Sequence, residues 1–498
     1  MRHLTSPLEA VQWLRERGAI ALRTDSRQIA AGEAFVAWPG GVVDGRAFVA
    51  QALDSGAVAA LVEYDGASAF ALDATRVASY TGLKADAGLI AAAFYGQPSA
   101  ALPVVAVTGT NGKTSTAWWL AQALSTLPAA NALPCGVIGT LGVGQPPHVQ
   151  STGLTTPDPV RVQQTLRQFA DQGLRACAME ASSIGIEEHR MAGTQIRVAV
   201  FTNFTQDHLD YHGSMAAYWV SKRKLFAWPG LGHAVVNVDD TQGAVLADEL
   251  AGALDLWTVS SQRPARLRAQ QLRHTASGMA FDVVEGDMSC TLQAGVIGHY
   301  NVLNLLGVVA AMRCLGVPLA DAVGACSTLL PVPGRMECVG GQGAPLVAID
   351  YAHTPDALAQ ALQALRPMAH ARGGSLWAVF GCGGDRDASK RPVMGAIAAQ
   401  HADRVVVTSD NPRSERPEAI VAQILLGVVD NKGVEVEVDR ALAIRDTVMQ
   451  AAAHDVILLA GKGHEETQEI AGVKHPFSDQ HHALAALQAR QSSTRGAA

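Results

Sequence analysis

The sequence lacks the features of several common classes of protein. Its seven cysteines are scattered and never form a Cys-x-x-Cys pair, which excludes a zinc ribbon and fits a reducing compartment. It has no long basic run, and with a net charge of −7 we expect no nucleic acid as its partner. The first residues contain no apolar signal core, so we expect a cytoplasmic protein.

Long uncharged stretches are also scarce. Residues 288–312 form one that could by length cross a membrane, but it contains His299, Asn301, Asn304 and several glycines. We therefore expect a buried strand, a turn and a helix there, and no membrane span.

The length and composition predict a globular protein of several domains. With 498 residues, of which 48% are hydrophobic and 17% charged, the chain exceeds a single compact core. From residue 102 to about 331, apolar runs alternate with amphipathic helices, which is typical of a parallel sheet covered on both faces. Turn signals at residues 96–99 and 331–334 mark the limits. We expect three α/β domains, at residues 1–100, 101–331 and 332–498, with ligand clefts between them.

The most informative motif follows an apolar run that has room for one buried strand. Residues 109–115 read Gly-Thr-Asn-Gly-Lys-Thr-Ser, and a helical segment follows directly. Glycines let backbone N–H groups close on phosphates, and the helix N-terminus adds a partial positive charge. The lysine reaches the terminal phosphates, while the threonine hydroxyl binds Mg²⁺. The motif predicts an ATP or GTP site formed by Gly109, Thr110, Asn111, Gly112, Lys113, Thr114 and Ser115.

Other polar side chains also follow apolar strands, where ligands bind in open parallel sheets. Glu180 ends one such strand and suits a second metal contact beside the P-loop. Residues 207–212 contain two aspartates and two histidines, of which we place His208 near magnesium and expect Asp210 and His212 to cap turns and helices.

Three polar loops end consecutive predicted strands of the last domain and are expected to share one site. They lie at residues 381–386, 410–413 and 461–465. The first is rich in glycine but lacks the G-x-G-x-x-G spacing, so we expect no dinucleotide there.

Taken in order, these motifs make the chain resemble the Mur ligases, and within that family the branch that adds the third residue of the peptidoglycan stem peptide. The resemblance covers nearly the whole chain. As an ordered set its motifs are highly specific, and they lie at residues 25–27, 109–115, 155–157, 180–183, 207–210, 300–301, 333–335, 350–353, 381–386, 410–413 and 461–465.

The resemblance implies an ATP-dependent amide ligase of peptidoglycan synthesis. An N-terminal domain would bind the uridine nucleotide, a central P-loop domain would bind ATP, and a Rossmann-like C-terminal domain would bind the amino acid. ATP would phosphorylate the D-glutamate carboxylate of UDP-N-acetylmuramoyl-L-Ala-D-Glu, and the amine of meso-diaminopimelate would displace phosphate. Such catalysis is mainly positioning and charge neutralisation, so cations and Mg²⁺ should surround the transferred phosphoryl group. A monomer is expected.

The resemblance also assigns residues to each ligand. Lys113, Glu180, His208 and Lys222 are the implied catalytic residues. Asn301, Arg335 and Asp350 would face the adenine and ribose of ATP. The UDP-sugar would be held by Ser26, Gly41, Val42, Val43, Thr155, Thr156, Ser182, Glu188 and Arg190, although the family often has glutamine at the position of Glu188. The amino acid would be bound by Arg386, Asp410, Asn411, Pro412, Arg413, Gly461 and Glu465. The implied ligands of Mg²⁺ are Thr114, Glu180, His208 and carbamylated Lys222.

Two of these residues carry specific chemical expectations. Lys222 matches the lysine that the family carbamylates with CO₂, which converts a cation that repels Mg²⁺ into an anionic oxygen ligand. Lys224 is the rival, and spacing favours Lys222. Arg413 is expected to select diaminopimelate, because a guanidinium bonds bidentately to its distal carboxylate and L-lysine would leave that guanidinium unpaired. Such a site can reject an analogue by roughly 10⁴-fold.

Two other kinds of function stay open at this point. Among ligases, the lysine-adding relative or a folylpolyglutamate synthase would share the P-loop, and phosphate release with diaminopimelate, lysine or glutamate would separate them. A P-loop switch or motor would instead hydrolyse nucleotide without any amino acid, and it would leave residues 410–413 without a role.

Overall fold

The computed structural model describes residues 1–41, 43–275, 278–428 and 433–496. Within these ranges the chain forms three consecutive α/β units, each on its own sheet, and a separate two-stranded ribbon. The three-part α/β fold expected from the sequence is thereby confirmed. The expected domain limits after residues 100 and 331 fall between the sheets and remain predictions.

The first unit is a parallel sheet with three helices. Its elements are β1 (Arg2–Leu4), α1 (Pro7–Glu16), β2 (Ala21–Arg23), β3 (Glu33–Ala37), α2 (Val49–Asp54), β4 (Ala59–Glu63), β5 (Val77–Tyr80) and α3 (Leu83–Phe94). The strand order is β1-β5-β4-β3-β2, and every pair is parallel. All residues of β3 and β4 are buried, as expected for parallel strands covered on both faces.

The second unit carries the P-loop. Its strands are β6 (Val104–Thr108), β7 (Cys135–Gly139), β8 (Gly142–Gln145), β9 (His148–Gln150), β10 (Ala176–Glu180), β11 (Ile196–Phe201), β12 (His233–Asn237), β13 (Asp255–Ser260), β14 (Leu267–Thr275), β15 (Gly278–Glu285) and β16 (Met288–Ala294). Its helices are α4 (Lys113–Ser125), α5 (Pro159–Asp171), α6 (Ser183–Glu187), α7 (Leu209–His212), α8 (Met215–Arg223), α9 (Thr241–Leu250), α10 (His299–Cys314) and α11 (Leu319–Cys326).

These eleven strands form one sheet in the order β16-β15-β14-β13-β12-β11-β6-β10-β7-β8-β9. The seven strands from β14 to β7 in that order pair in parallel, whereas β15, β16, β8 and β9 add antiparallel edges. The P-loop strand β6 lies between β11 and β10, so the ends of all three strands meet at one edge. The uncharged stretch at residues 288–312 forms β16, a turn and most of α10 in the predicted order. Helix α10 is buried as expected, but β16 is mostly exposed because it is the edge strand of the sheet.

The third unit is a second mainly parallel sheet. Its elements are β17 (Glu337–Gly340), β18 (Leu346–Asp350), α12 (Pro355–Arg372), β19 (Leu376–Phe380), α13 (Lys390–His401), β20 (Arg404–Val407), α14 (Pro417–Leu425), β21 (Val434–Val436), α15 (Arg440–Gln450), β22 (Val456–Ala460), β23 (Thr467–Ile470), β24 (Val473–Pro476) and α16 (Asp479–Gly496). Five parallel strands follow the antiparallel edge strand β17 in the order β17-β18-β22-β19-β20-β21, and β23 pairs with β24. The strands before the three polar loops are thus β19, β20 and β22, with β19 between the other two.

Contacts between units differ in kind. The first and second units meet closely at α3, where a Cβ atom added to Gly88 would collide with the carbonyl oxygen of Ala192. The third unit contacts the second through the packing of Ile297 and Tyr300 against its apolar core and through polar side chains, among them Asp356, which accepts from Asn111 Nδ2 at 3.2 Å. In the described part of the chain, no helix is both long and apolar enough to cross a membrane.

Candidate active site

The P-loop connects β6 to α4 at the edge of the central sheet. Gly109 and Gly112 have φ values of +145° and +84°, a region that favours glycine, and a Cβ atom at Gly109 would collide with the hydroxyl of Thr202. Lys113 begins α4, and its Nζ donates to the carbonyl oxygens of Gly109 and Thr110 at 3.0 and 2.8 Å. Burial lowers the pKa of Lys113. The loop thus has the conformation of a phosphate cradle, with its lysine folded back on it.

An acid and two hydroxyl groups lie directly beside the P-loop. Glu180 is buried at the end of β10, and its carboxylate accepts from Thr114 Oγ1 at 2.9 Å. The backbone N–H and the hydroxyl of Thr140 donate to the same carboxylate at 2.7 and 3.1 Å. Oxygen donors of this kind are the ligands that Mg²⁺ prefers. The sequence signalled Glu180 and Thr114, whereas Thr140 follows a short glycine-rich strand and carried no signal.

Arg335, which belongs to the third unit, contacts the group formed by Glu180, Thr114 and Thr140. Its Nη2 donates to Thr114 Oγ1 at 3.1 Å, and its guanidinium lies 4.4 Å from the centre of the Tyr351 ring. The resemblance implied the adenine and ribose side for Arg335, but the structure puts its guanidinium at the P-loop threonine. The side chain therefore bridges the second and third units at the phosphate end of the site.

The two rival lysines occupy opposite environments. Lys222 is 1% exposed, and its Nζ donates to the carbonyl oxygen of Gly109 at 2.7 Å. Burial, together with the charge of Lys113, lowers the pKa of Lys222 well below its usual range. Lys224 instead pairs with Glu187 at the surface, with an Nζ–Oε2 distance of 2.7 Å. Lys222 is thus the lysine beside the P-loop.

His208 lies on the other side of the P-loop in a strained backbone conformation, with φ of +52°. Its Nε2 is 3.4 Å from Asp207 Oδ2, and burial lowers the pKa of His208. Burial opposes ionisation of Asp207, yet the charges of His353 and His208 bring the pKa of Asp207 down to about 2. Sequence reasoning singled out His208 but missed the role of Asp207 and His353 as its neighbours.

A cleft of about 440 Å³ lies between the second and third units. Its walls include most of the residues predicted for ATP and metal. Asn301 and Asp350 also stabilise the backbone there. Asn301 Nδ2 donates to the carbonyl oxygen of Ile297 at 2.8 Å, and Asp350 accepts from the N–H of Met336 at 2.8 Å. The predicted residues that line the cleft are Thr110, Asn111, Gly112, Lys113, Thr114, Ser115, Thr155, Glu180, Ser182, His208, Asn301, Arg335 and Asp350.

The residues predicted for the UDP-sugar form a connected group on the central sheet and a separate one in the first unit. Thr156 Oγ1 lies 3.0 Å from Ser182 Oγ, and Arg190 donates to the carbonyl oxygen of Thr156 at 3.1 Å. Thr155 is joined through its hydroxyl to Thr140 at 3.0 Å. These contacts place the central group next to Glu180 and the P-loop.

Glu188 has contacts of its own. Its Oε2 is 2.6 Å from Lys84 Nζ of α3, and its Oε1 accepts from the Tyr211 hydroxyl at 2.7 Å. Both oxygens are thus engaged, and the carboxylate ties the first unit to the second. A glutamine at this position could not form this ion pair.

The remaining UDP-sugar candidates belong to the first unit. Ser26 is buried in a one-turn helix capped by Asp25, whereas Gly41 and Val43 are exposed. Val42 lies outside the described residues. Of the described ones, Ser26, Gly41 and Val43 do not line the 440 Å³ cleft. A second hollow of about 610 Å³ lies beside Asp25, the neighbour of Ser26, and its walls also include Arg23, Thr24, Gln150, Asp158 and Arg161.

The three polar loops of the third unit meet as predicted. A Cβ atom added to Gly383 would lie 2.9 Å from Arg413 Nη1 and 3.8 Å from Arg386 Cγ, so the two arginines flank one glycine. Arg413 has φ of +52° and donates from Nη1 to the carbonyl oxygen of Gly384 at 2.6 Å. Asp410 is buried against Gly461, and burial raises the pKa of Asp410.

A buried lysine that sequence reasoning missed holds two of these loops together. Lys462 Nζ donates to Asn411 Oδ1 at 3.0 Å and to Glu465 Oε2 at 2.9 Å. Asn411 Nδ2 donates to the same Glu465 oxygen at 2.7 Å. Only its place inside the Gly-Lys-Gly-His-Glu motif could have drawn attention to Lys462.

The two binding regions are neighbours. Tyr351, which stacks with Arg335 at the P-loop end, also lies 5.3 Å from the ring of His464, the residue before Glu465. Arg413 does not line the 440 Å³ cleft itself. It lies in the loop after β20, and the loops after β19, β20 and β22 lie at the same edge of the sheet. Tyr351 and His464 therefore connect the cleft to the predicted amino-acid pocket beside Arg386 and Arg413, at the junction of the second and third units.

Three α/β units with a P-loop cleft between two of them define the class: a multidomain P-loop protein. Models of the Mur ligase family match along the chain: its catalytic domain at residues 21–86, its middle domain at 107–312 and its glutamate ligase domain at 334–463. The chain is 60% identical, over 98% of both chains, to the UDP-N-acetylmuramoyl-L-alanyl-D-glutamate–2,6-diaminopimelate ligase of Acidovorax sp. strain JS42.

Two further relatives bear the same name. The enzyme of Ralstonia nicotianae is 47% identical over 96% of both chains. A solved structure of a UDP-N-acetylmuramoyl-L-alanyl-D-glutamate–2,6-diaminopimelate ligase is 35% identical, covers 95% of both chains and superimposes with a TM-score of 0.64. The chain belongs to the Mur ligase family and is an ATP-dependent ligase.

Proposed function

We propose that the protein joins meso-2,6-diaminopimelate to the D-glutamate of UDP-N-acetylmuramoyl-L-Ala-D-Glu with consumption of ATP. The observation that carries the proposal is that Arg386 and Arg413 flank one glycine of the third unit, which also forms part of the P-loop cleft, in a chain 60% identical to a ligase of that name. Because the reaction needs ATP, we place it in the cytoplasm. The seven cysteines, all free, agree with that compartment.

The choice of diaminopimelate is supported by the two flanking arginines. Arg413 is 23% exposed and uses Nη1 on a backbone carbonyl, while its Nε is 3.9 Å from Glu469. The rest of its guanidinium is therefore available for a carboxylate. L-Lysine lacks the distal carboxylate and would bring an ammonium toward Arg413 and Arg386, so it should bind poorly.

The proposed chemistry has two steps. The terminal phosphoryl group of ATP moves to an oxygen of the D-glutamate carboxylate, which forms an acyl phosphate and ADP. The amine of the amino acid then attacks the acyl carbon, the bond to the phosphate oxygen breaks, and the nitrogen loses a proton. Lys113 and the P-loop N–H groups neutralise the phosphates, and Arg335 lies where it can add a further positive charge.

Magnesium fits the donor set beside the P-loop. The hydroxyl of Thr114 and the carboxylate of Glu180 are in contact and buried, and we propose them as ligands, with His208 close by. When bound, the metal would neutralise charge on the transferred phosphoryl group. In the described part of the chain no three His, Cys, Asp or Glu side chains are grouped for a metal, and a further anionic oxygen would add to this donor set together with the phosphates of ATP.

We propose that carbamylated Lys222 supplies this oxygen. A neutral amine can attack CO₂ and release one proton to form a carbamate, and the buried position of Lys222 favours the neutral amine. Lys224 instead lies at the surface in contact with Glu187. Mass spectrometry under native conditions with isotopically labelled bicarbonate should detect the adduct on Lys222, and a label on Lys224 instead would contradict this assignment.

Phosphate release provides the direct test of the function. The purified protein should release phosphate from ATP only when the UDP-dipeptide and diaminopimelate are both present, and the product should be the UDP-tripeptide by mass spectrometry. Lysine and glutamate in place of diaminopimelate serve as comparisons. Turnover with lysine but not with diaminopimelate would refute the choice of substrate, and turnover without any amino acid would favour a nucleotide switch.

A further inference from the structure

Lys462 is the only fully buried lysine among the described residues of the third unit, and the mechanism above gives it no role. It follows β22 directly and is 0% exposed. Its Nζ donates to Asn411 Oδ1 at 3.0 Å, to Glu465 Oε2 at 2.9 Å and to the carbonyl oxygen of Thr467 at 2.7 Å. Three acceptors engage all three protons of an ammonium group.

These contacts determine which atoms Asn411 presents to the pocket. Its Oδ1 receives a proton from Lys462 and another from the N–H of Glu469 at 3.0 Å. Neither donor can accept a hydrogen bond. A flip of the Asn411 amide would therefore place its NH₂ group against two donors. The NH₂ group must therefore point away from Lys462.

The remaining atoms form a matched pair. One N–H of Asn411 Nδ2 donates to Glu465 Oε2 at 2.7 Å, and no described residue accepts its second N–H. Likewise, no described residue donates to Glu465 Oε1, on a side chain that is 28% exposed. A free donor and a free anionic acceptor thus lie side by side, next to the loop that carries Arg413. This pair suits the carboxylate and the ammonium of one amino-acid group.

We infer that Lys462 is a positioning residue for substrate recognition: its ammonium holds Asn411 as a donor and Glu465 as an acceptor toward the zwitterionic group of the amino acid. The inference rests on the proposed function. Lys462 lies behind both side chains and acts through them. Its removal should affect binding of the amino acid selectively, because the residues proposed for ATP and the UDP-sugar follow other strands.

The test compares Lys462→Met with Lys474→Met. Methionine is close to lysine in length and lacks the charge, and Lys474 is an exposed lysine of β24 in the same unit. Lys462→Met should raise the KM for the amino acid by about tenfold or more, which corresponds to the loss of one charge-assisted contact. Its kcat and its KM values for ATP and the UDP-dipeptide should stay within about twofold, and Lys474→Met should leave all four values unchanged.

A combined variant separates positioning from general support of the fold. If Lys462 acts through Asn411 and Glu465, adding Lys462→Met to a variant that already carries Asn411→Ala and Glu465→Ala should raise the KM for the amino acid little further. Independent, multiplicative effects would overturn the inference. So would an unchanged KM in folded Lys462→Met, or an equal rise of all three KM values.

The assay is first run on the native enzyme with diaminopimelate and lysine, and the amino acid that supports phosphate release is used for the variants. If diaminopimelate does not support phosphate release, only the proposed substrate is refuted. If Lys462→Met does not raise the KM for the amino acid selectively, only the positioning role is refuted. If Lys462→Met does not fold, a crystal structure of the native enzyme with its amino acid decides. A substrate carboxylate on the amide atom of Asn411 opposite Lys462 supports the inference, and an ammonium there, or no contact, overturns it.

Discussion

Replacement of Arg413 by alanine should weaken the use of diaminopimelate more than any other step. The guanidinium is 23% exposed, and one of its nitrogens donates to Gly384 at 2.6 Å, so the remaining N–H groups can bind a carboxylate. Hydrogen bonds to charged groups contribute about 1.5–3 kcal/mol. The KM for diaminopimelate should therefore rise by roughly 10- to 150-fold, since about 1.4 kcal/mol corresponds to a factor of ten.

Steady-state phosphate release, with each substrate varied in turn, measures this effect. The KM for ATP should stay within about twofold, because Arg413 does not line the nucleotide cleft. Arg416→Ala is the matched control, since that side chain is 86% exposed and belongs to the same segment. An unchanged KM for diaminopimelate in Arg413→Ala would refute the assignment of the pocket.

The backbone at this position allows a second comparison. Arg413 has φ of +52°, where residues with a Cβ atom are strained by about 1–2 kcal/mol and glycine is not. Arg413→Gly should therefore be more stable than Arg413→Ala by about 1 kcal/mol, as measured by denaturant unfolding. Both variants should share the same loss of affinity. Equal kinetics with different stability would separate the binding role of the side chain from its effect on the fold.

Three further predictions concern other parts of the chain. Lys222→Ala should reduce turnover by at least about 100-fold in the phosphate-release assay and Lys224→Ala by less than twofold, because only the first lies beside the P-loop; the reverse result would exchange their roles. The buried Arg391 pairs with Glu415 and lowers the pKa of that carboxyl from 4.5 to about 2. The pair therefore stabilises the fold fully above pH 4.5 and loses its effect as the pH falls toward 2. Because the carboxylate is partly open to solvent, Glu415→Gln should cost about 1 kcal/mol at pH 7 in urea unfolding, and a cost that persists at pH 2 would contradict this account. Gly88→Ala should lower the free energy of unfolding by about 2 kcal/mol or more, because its Cβ atom would collide with the second unit. Gly324→Ala, in a helix with open space around it, should be neutral or slightly stabilising. Equal thermal unfolding midpoints of the two variants would show that the interface adjusts to the added methyl group.

Much of the architecture could be predicted because its signals are local. The buried strands β6, β10, β11, β19 and β22 are short apolar runs, and each ends in a loop whose residues bear the chemistry. The antiparallel edge strands β8 and β9 escaped prediction because they are short and partly exposed, and in β9 no apolar run distinguishes strand from loop. Short edge strands of this kind depend on pairing with a neighbour.

The sequence by itself determined the succession of strands and helices, the P-loop and the residue types at the strand ends, because these depend on neighbours along the chain. Only the tertiary structure decided which distant residues meet. Arg335 contacts Thr114 across 221 positions, Glu188 forms an ion pair with Lys84 of the first unit, and Lys462 holds Asn411 51 positions away. Such contacts arise from how separate units and parallel strands pack, and no periodicity or spacing in the sequence records them.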